Sequence, residues 1–132
     1  MDTRKNPFED FEVISTYSRA QALEDGGLVD VSQLAREAGF RIPVAVSRAV
    51  FAVLDPGEGL AAEGQSFQGR AWDLLAILRL AARSARHSSE VRFSPLFVLE
   101  PGRSPEPLAL RAVCGPGDDG APVITVMLPN ED

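Results

Sequence analysis

Residues 70–86 constrain the fold of this chain more than any other segment, because good helix formers fill them without Gly or Pro. At about 100° per residue, one side of the predicted helix is apolar, and its residues are Ala71, Leu74, Leu78, Ala81, Ala82 and Ala85. The opposite side carries an arginine stripe with Trp72 on it, made of Trp72, Arg79, Arg83 and Arg86. Such a two-sided helix has to bury its apolar side against other elements.

After Ser89 the sequence changes to the pattern of strands. Residues 91–99 and 123–128 are rich in β-branched and aromatic side chains, and residues 107–114 place Leu108, Leu110, Ala112 and Cys114 on one face. Pro- and Gly-containing turns separate the three segments. The last of them is nearly all apolar, which places it at the centre of a sheet. Pro95 removes a ladder donor, so the first strand is expected at an edge or at a bulge.

The N-terminal half alternates short strands and short helices. Residues 11–17 alternate in polarity and predict a strand. Ser18 is expected to cap a helix that runs to Leu23, and residues 28–31 form a second extended piece. A further short helix is expected between Ser32 as its N-cap and Gly39 as its left-handed C-terminal residue.

Residues 42–54 predict one more helix. Pro43 suits a first turn, and apolar residues then recur at helical spacing as Val46, Ala49, Val50, Val53 and Leu54. A strand over the same residues would turn Arg48 to the same side as Val44 and Val46, so the helix is preferred. Residues 55–69 hold four glycines and a proline, and we expect a mobile loop there.

The order of these elements predicts an α+β fold. Its antiparallel sheet combines a C-terminal three-strand meander with an N-terminal strand, and about three helices pack on one face. The length of 132 residues suits one domain, 1–132, with a flexible N-terminus over residues 1–9.

Composition excludes several function classes. One Cys and one His cannot supply a disulfide framework or a zinc cage, so we expect no metal and no cofactor. The net charge of -6 argues against general binding of duplex DNA. The chain shows neither a signal peptide nor an apolar run of about 18 residues. We therefore expect a cytoplasmic protein without a membrane partner.

Three motifs resemble ligand-binding or catalytic sites, but each has a simpler structural explanation. Residues 115–120, Gly-Pro-Gly-Asp-Asp-Gly, match a dinucleotide-binding glycine pattern, but a strand follows where that motif needs a helix. Asp118 and Asp119 could bind a hard cation, yet two acids in a turn are ordinary. Cys114 and His87 could form a thiol dyad, but nothing in their spacing brings them together. We assign no catalytic residue.

Two candidate binding sites remain open. The stripe of Trp72, Arg79, Arg83 and Arg86 combines stacking area with forked donors, which suits an acidic protein surface or single-stranded nucleic acid. A solvated helix side is the alternative. The second candidate is an anion cleft, made of Tyr17, Arg19, Asp30 and Arg48. A structural ion pair would explain the same residues.

Several stretches together resemble a family of small, functionally uncharacterised bacterial proteins carried on plasmids, integrative elements and phages. The similar segments are residues 13–22, 28–32, 35–40, 42–45, 48–50, the helix around Trp72-Asp73, and 114–120 through the terminal Leu-Pro-Asn-Glu-Asp of residues 128–132. This chain departs from the family mainly in residues 55–69. No catalytic residues are assigned in this family, so none can be carried over to this chain. The resemblance implies that a mobile element encodes the protein, and small acidic proteins of such elements often block host defence or restriction complexes.

These observations favour a non-enzymatic interaction protein that binds a host or element-encoded protein and antagonises host defence. A small enzyme or binding protein for a nucleotide-like anion is the first alternative, and a single-stranded nucleic-acid binder is the second. The alanine-rich helix side and the proline-bearing edge strand also permit a homodimer.

Overall fold

A computed structural model describes residues 17–62, 64–85 and 87–131 of the chain. The helices are α1 (Arg19–Asp25), α2 (Ser32–Glu37), α3 (Arg48–Leu54), α4 (Gly57–Ala62) and α5 (Phe67–Ser84). The strands are β1 (Leu28–Asp30), β2 (Val44–Ser47), β3 (Glu90–Phe93), β4 (Leu96–Phe97), β5 (Glu106–Pro107), β6 (Leu110–Pro116) and β7 (Pro122–Met127). The α+β fold class predicted from the sequence is confirmed.

Five strands form one sheet in the order β1-β2-β7-β6-β3, and β4 pairs with β5 as a separate two-stranded sheet. Strand β7 lies at the centre, as its apolar sequence predicts. The three C-terminal strands β3, β6 and β7 are neighbours and antiparallel. The expectation of an antiparallel sheet throughout is wrong, because β2 runs parallel to β7, with Val46 opposite Val126.

The core lies between one face of this sheet and three helices, α2, α3 and α5. Helix α5 buries a continuous apolar side that includes Leu75 as well as the predicted Leu74 and Leu78. The sheet contributes inward-facing residues from four strands, among them Val126 of β7 and Ala112 of β6. Because side chains alternate along a strand, Thr125 of β7 points to the opposite face, where α1 lies.

The predicted helix over residues 42–54 is wrong in its first half. Residues Val44–Ser47 form β2, and only Arg48 to Leu54 is helical, with the Ser47 hydroxyl accepting a hydrogen bond from Val50 N as N-cap. All four residues of β2 are buried, with Val44 and Val46 facing the core and Ala45 and Ser47 on the opposite face of the sheet. An apolar run buried on both faces has no alternation, so periodicity could not separate strand from helix.

Some of the other boundaries follow the predictions, some differ from them, and some fall outside the described residues. The prediction of Ser32 as the N-cap of α2 is wrong: Ser32 is the first helical residue, and Val31 at the N-cap position makes no capping hydrogen bond with its side chain. Ser18 caps α1 in a reciprocal capping box with Gln21, and Gly39 has the expected left-handed backbone. Pro95 divides the predicted strand 91–99, so that β3 is an edge strand of the main sheet and β4 pairs elsewhere. Residues 57–62 of the predicted loop are helical. Residues 1–9, and the predicted strand up to residue 16, lie outside the described ranges.

A buried arginine joins three segments of the fold. Arg70, in the first turn of α5, is 4% exposed and donates to the carbonyls of Val53 and Val98. Val53 lies in the last turn of α3, where helix carbonyls have no partner within the helix. The guanidinium also stands 5.7 Å from the centre of the Phe97 ring. Burial lowers the pKa of Arg70 from its ordinary value, while Asp55 raises it.

Glu131 connects the C-terminal Leu-Pro-Asn-Glu segment to the rest of the fold. Its carboxylate accepts hydrogen bonds from the Ser47 hydroxyl at 2.7 Å and from Leu128 N at 2.7 Å. Its backbone carbonyl accepts from the Arg111 guanidinium of β6. These contacts join the end of β7 to the start of α3, which gives this distinctive terminal sequence a structural role.

Candidate functional site

The exposed side of α5 carries the predicted arginine stripe. We call this surface the outer face of α5, and it consists of Trp72, Ala76, Arg79, Leu80 and Arg83. These residues fall at helical spacings of three and four, so their side chains form one row. Trp72 is 42% exposed and Leu80 is 59% exposed, and both arginines are exposed. Arg86, the fourth predicted member, lies outside the described residues.

A groove of about 260 Å³ runs along the outer face of α5 and is closed on its other side by Ala38. Arg79 is seated at this wall: a Cβ added to Gly39 would stand only 2.7 Å from Arg79 Cζ. Gly39 also has a φ of 106°, which favours glycine. The absence of a side chain at position 39 therefore lets the guanidinium lie against the turn that follows α2.

The charged side chains found along this groove are positive. Among the described residues, the charged side chains that line it are Arg79 and Arg83. Within the part of the chain that the structure describes, no carboxylate lies within 4.0 Å of either guanidinium. The outer face of α5 thus offers two cations and two large apolar side chains on the surface of a chain with a net charge of -6.

A second groove, of about 540 Å³, lies on the face of the sheet opposite the core, and we call it the sheet groove. Tyr17 and Arg19 of the predicted anion cleft both line it. The other two members do not: the Asp30 carboxylate accepts from Ser32, and Arg48 donates to the carbonyls of Asp25 and Gly26. The structure therefore brings only half of this predicted set to one groove.

The polar groups of the sheet groove are engaged with one another. Arg19 donates to the Thr125 hydroxyl at 2.6 Å and to the Ile124 carbonyl at 3.0 Å. Partial burial lowers the pKa of Arg19, while Asp30 and Asp118 raise it. A hydrogen bond from the Tyr17 hydroxyl to Asp25 lowers the pKa of Asp25 and raises that of Tyr17. The Arg19 hydrogen bonds attach α1 to β7, whereas the Tyr17–Asp25 bond joins the residue before the N-cap of α1 to the last residue of the same helix.

Asp118 gives the Gly-Pro-Gly-Asp-Asp-Gly loop a role beyond turning the chain. The loop is a turn between β6 and β7, as predicted, with Gly120 N bonded to Gly117 O. The Asp118 carboxylate accepts from the backbone N–H groups of Arg19 at 3.0 Å and Ala20 at 2.9 Å. A helix N-terminus attracts negative charge, and here the loop supplies that charge from within the chain.

We expect Asp118→Asn to weaken the attachment of α1 in a pH-dependent way. The two backbone N–H groups lower the pKa of Asp118 in the folded protein. The stabilisation is therefore present above the unfolded-state pKa of about 3.9 and is lost as pH falls through the lower folded-state value. Thermal unfolding followed by circular dichroism should show the variant less stable at neutral pH, with the difference from wild type shrinking below about pH 4.

Asp119→Asn is the matched control for this prediction. The Asp119 side chain accepts from Ala121 N within the same turn, on a residue that does not belong to α1. Its replacement should leave the difference between neutral and acidic stability close to that of wild type. A constant deficit for Asp118→Asn at every pH would contradict the assignment of the effect to the carboxylate charge.

Cys114 and His87 are not brought together at a cleft. Cys114 lines an apolar cleft of about 190 Å³ beside the C-terminal end of α5, and His87 is not among its lining residues. Within residues 17–62, 64–85 and 87–131, His, Cys, Asp and Glu form no cluster of three or more suited to a metal ion. None of the helices in these ranges has the length and apolar character needed to cross a bilayer.

The model of a family of unknown function, DUF6573, matches residues 4–132. The chain belongs to this family. No curated protein and no solved structure gives a significant match. Two segments that carry the family resemblance make structural contacts in this DUF6573 member. Glu131 of the terminal segment accepts a hydrogen bond from the Ser47 hydroxyl, and Asp118 of the glycine loop accepts one from Ala20 N.

Four residues of this groove in the DUF6573 member are not part of the site predicted from the sequence: Ala76 and Leu80 of α5, and Ala38 and Gly39 after α2. Leu80 follows Trp72 by eight positions, so the helical spacing itself could have placed it on the outer face. Ala38 and Gly39 belong to the end of α2 and are separated from Arg79 by about forty positions along the chain. Their part in the groove depends on how α2 packs against α5, and the sequence carries no local signal for it.

Proposed function

We propose that this protein is a non-enzymatic interaction module that binds another protein through the outer face of α5. The observation that carries the proposal is the exposure of Trp72 and Leu80 in one row with Arg79 and Arg83. Trp and Arg are enriched among residues that dominate the energy of protein interfaces. A row of this kind on a rigid helix presents apolar area and forked donors together.

Packing among the described residues does not require Leu80 to be apolar. The buried side of α5 already supplies Ala71, Leu74, Leu75 and Leu78 to the core. Leu80 lies on the other side of the helix at 59% exposure, where a polar residue would keep the helix equally stable. Large apolar side chains grouped on a surface are typical of a site for a partner.

The sheet groove supports a structural role better than a ligand site. It is the larger of the two grooves, but its polar residues already have protein partners. Arg19 is held by Thr125 and Ile124, Asp118 caps α1, and the carboxylate of Glu131 accepts from Ser47. A ligand that used these groups would have to replace hydrogen bonds that hold α1 and the C-terminal segment.

The test compares two exposed leucines. Leu80→Asp places a carboxylate on the outer face of α5, whereas Leu96→Asp places one on β4, and the two leucines are 59% and 60% exposed. We expect wild type and Leu96→Asp to capture the same protein saturably from a host-cell lysate. Leu80→Asp should bind it at least about tenfold more weakly, as expected for a residue at the centre of an interface.

Two outcomes would contradict this function. One is that Leu80→Asp and Leu96→Asp retain the same proteins at the same strength. The other is that wild type retains no protein saturably. Circular dichroism of both variants establishes that each is folded, so that a loss of binding is not a loss of structure.

The family resemblance extends the proposal to a setting. We propose, on that resemblance alone, that a mobile element encodes the protein and that its partner belongs to host machinery for defence or restriction. Mass spectrometry of the captured protein tests this part separately. A partner with no role in handling nucleic acids would contradict the setting and leave the interaction surface in place.

A further inference from the structure

The outer face of α5 has features that specify the chemistry of its partner. Within residues 17–62, 64–85 and 87–131, Arg79 and Arg83 are the charged residues that line its groove, and no carboxylate of these ranges lies within 4.0 Å of them. A partner that brings carboxylates to these two positions gains charge-assisted, forked hydrogen bonds. A partner with lysines there meets repulsion at both.

Arg79 is positioned before any partner binds. Its guanidinium lies against Gly39, at a distance that leaves no room for a Cβ on that residue. Contact with this turn restricts the rotamers of a side chain that is otherwise among the most flexible. The entropy cost of fixing the fork on binding is therefore reduced.

Between the two arginines and Trp72 the groove is apolar. Its remaining lining residues are Ala38, on the side opposite α5, and Trp72, Ala76 and Leu80 of α5 itself. The volume of about 260 Å³ admits an apolar side chain of a partner. An aliphatic wall such as Leu80 does not stack on a nucleobase, and two cations are few for a phosphate backbone next to a chain of net charge -6.

We infer that the partner presents an acidic amphipathic segment to this groove, with an apolar side chain inserted between Trp72 and Leu80 and carboxylates opposite Arg79 and Arg83. This inference rests on the proposed function and adds the chemical class of the partner to it. A protein segment is favoured over single-stranded nucleic acid by the aliphatic part of the surface.

Trp72 supplies a direct readout because it is the only tryptophan of the chain. The probes are three synthetic amphipathic peptides without tryptophan, identical in their leucines and differing only in whether the flanking positions are Glu, Gln or Lys. We expect the Glu peptide to shift the Trp72 emission to the blue and to protect it from acrylamide. Its affinity should exceed that of the Gln peptide by at least about tenfold, as expected for two charge-assisted contacts, and should fall with added salt.

The decisive experiment reverses the charge of Arg79 and Arg83. Arg79→Glu combined with Arg83→Glu should lose the Glu peptide and gain the Lys peptide. Arg92→Glu combined with Arg103→Glu is the matched control, since both arginines are 67% exposed and lie elsewhere. That control should keep the preference of wild type for the Glu peptide.

Three results would overturn the inference. They are equal affinity for the Glu and Gln peptides, no Trp72 response to any of the three, and binding of oligo-dT that depends on Arg79 and Arg83. The proposed function is judged independently by Leu80→Asp in the lysate. If that variant loses its partner while the Glu peptide fails, only the acidic chemistry of the partner is wrong.

Discussion

Arg70→Ala should lower the free energy of unfolding by about 3 kcal/mol or more, the largest effect expected from any single charged residue here. The change removes two hydrogen bonds from a charged group and leaves the carbonyls of Val53 and Val98, which are partly buried, without this donor. It also removes the side chain that lies over Phe97. Chemical denaturation followed by circular dichroism measures the loss directly.

Three other arginine variants test this prediction further. Arg70→Lys keeps the charge, but one ammonium group cannot reproduce a fork that reaches both carbonyls, so an intermediate loss is expected. Arg79→Ala, on the exposed side of the same helix, should change stability by no more than about 0.5 kcal/mol. Arg70→Met with wild-type stability would contradict the conclusion that the guanidinium stabilises this junction.

Leu75→Ala should cost about 2–5 kcal/mol, whereas Leu80→Ala should change stability by no more than about 0.5 kcal/mol. Both leucines lie in α5, but Leu75 is completely buried against the sheet and Leu80 is 59% exposed. The same substitution in the same helix therefore separates the residue that builds the core from the residue offered to a partner.

Denaturation midpoints of the two leucine variants provide the measurement, with unchanged slopes as the sign of an unchanged unfolding transition. A large loss in Leu80→Ala would mean that Leu80 contributes to the fold. Its exposure could then no longer be used as an argument for an interaction surface.

Local sequence signals were sufficient where one element dictates the position of its own residues. Helical spacing alone placed Trp72, Arg79 and Arg83 on one side of α5, and that side is the exposed one. Ser18 and Gly39 marked a helix start and a helix end because capping depends on the nearest backbone groups. The central position of β7 followed from its apolar composition.

Local signals failed where burial on both sides or contacts between distant segments decided the outcome. The segment of β2 continues the helical spacing of α3 and shows no alternation of polarity, since Val44, Ala45 and Val46 are all apolar and all buried, so the sequence favours a helix there. Arg70 lies at the start of a helix, and no local sequence pattern indicates that its side chain is enclosed by the end of α3 and the segment after β4. Burial of a charge depends on the backbone carbonyls that surround it, and these come from other parts of the chain.

The sequence by itself determined the α+β class, the amphipathic helix α5 and the grouping of its exposed arginines with Trp72, because these follow from the periodicity and propensity of single segments. Only the tertiary structure decided that β2 joins the sheet parallel to β7, that Asp118 caps α1, and that Gly39 seats Arg79 beside an apolar groove. Each of these depends on segments far apart in the chain, and packing brings them into contact.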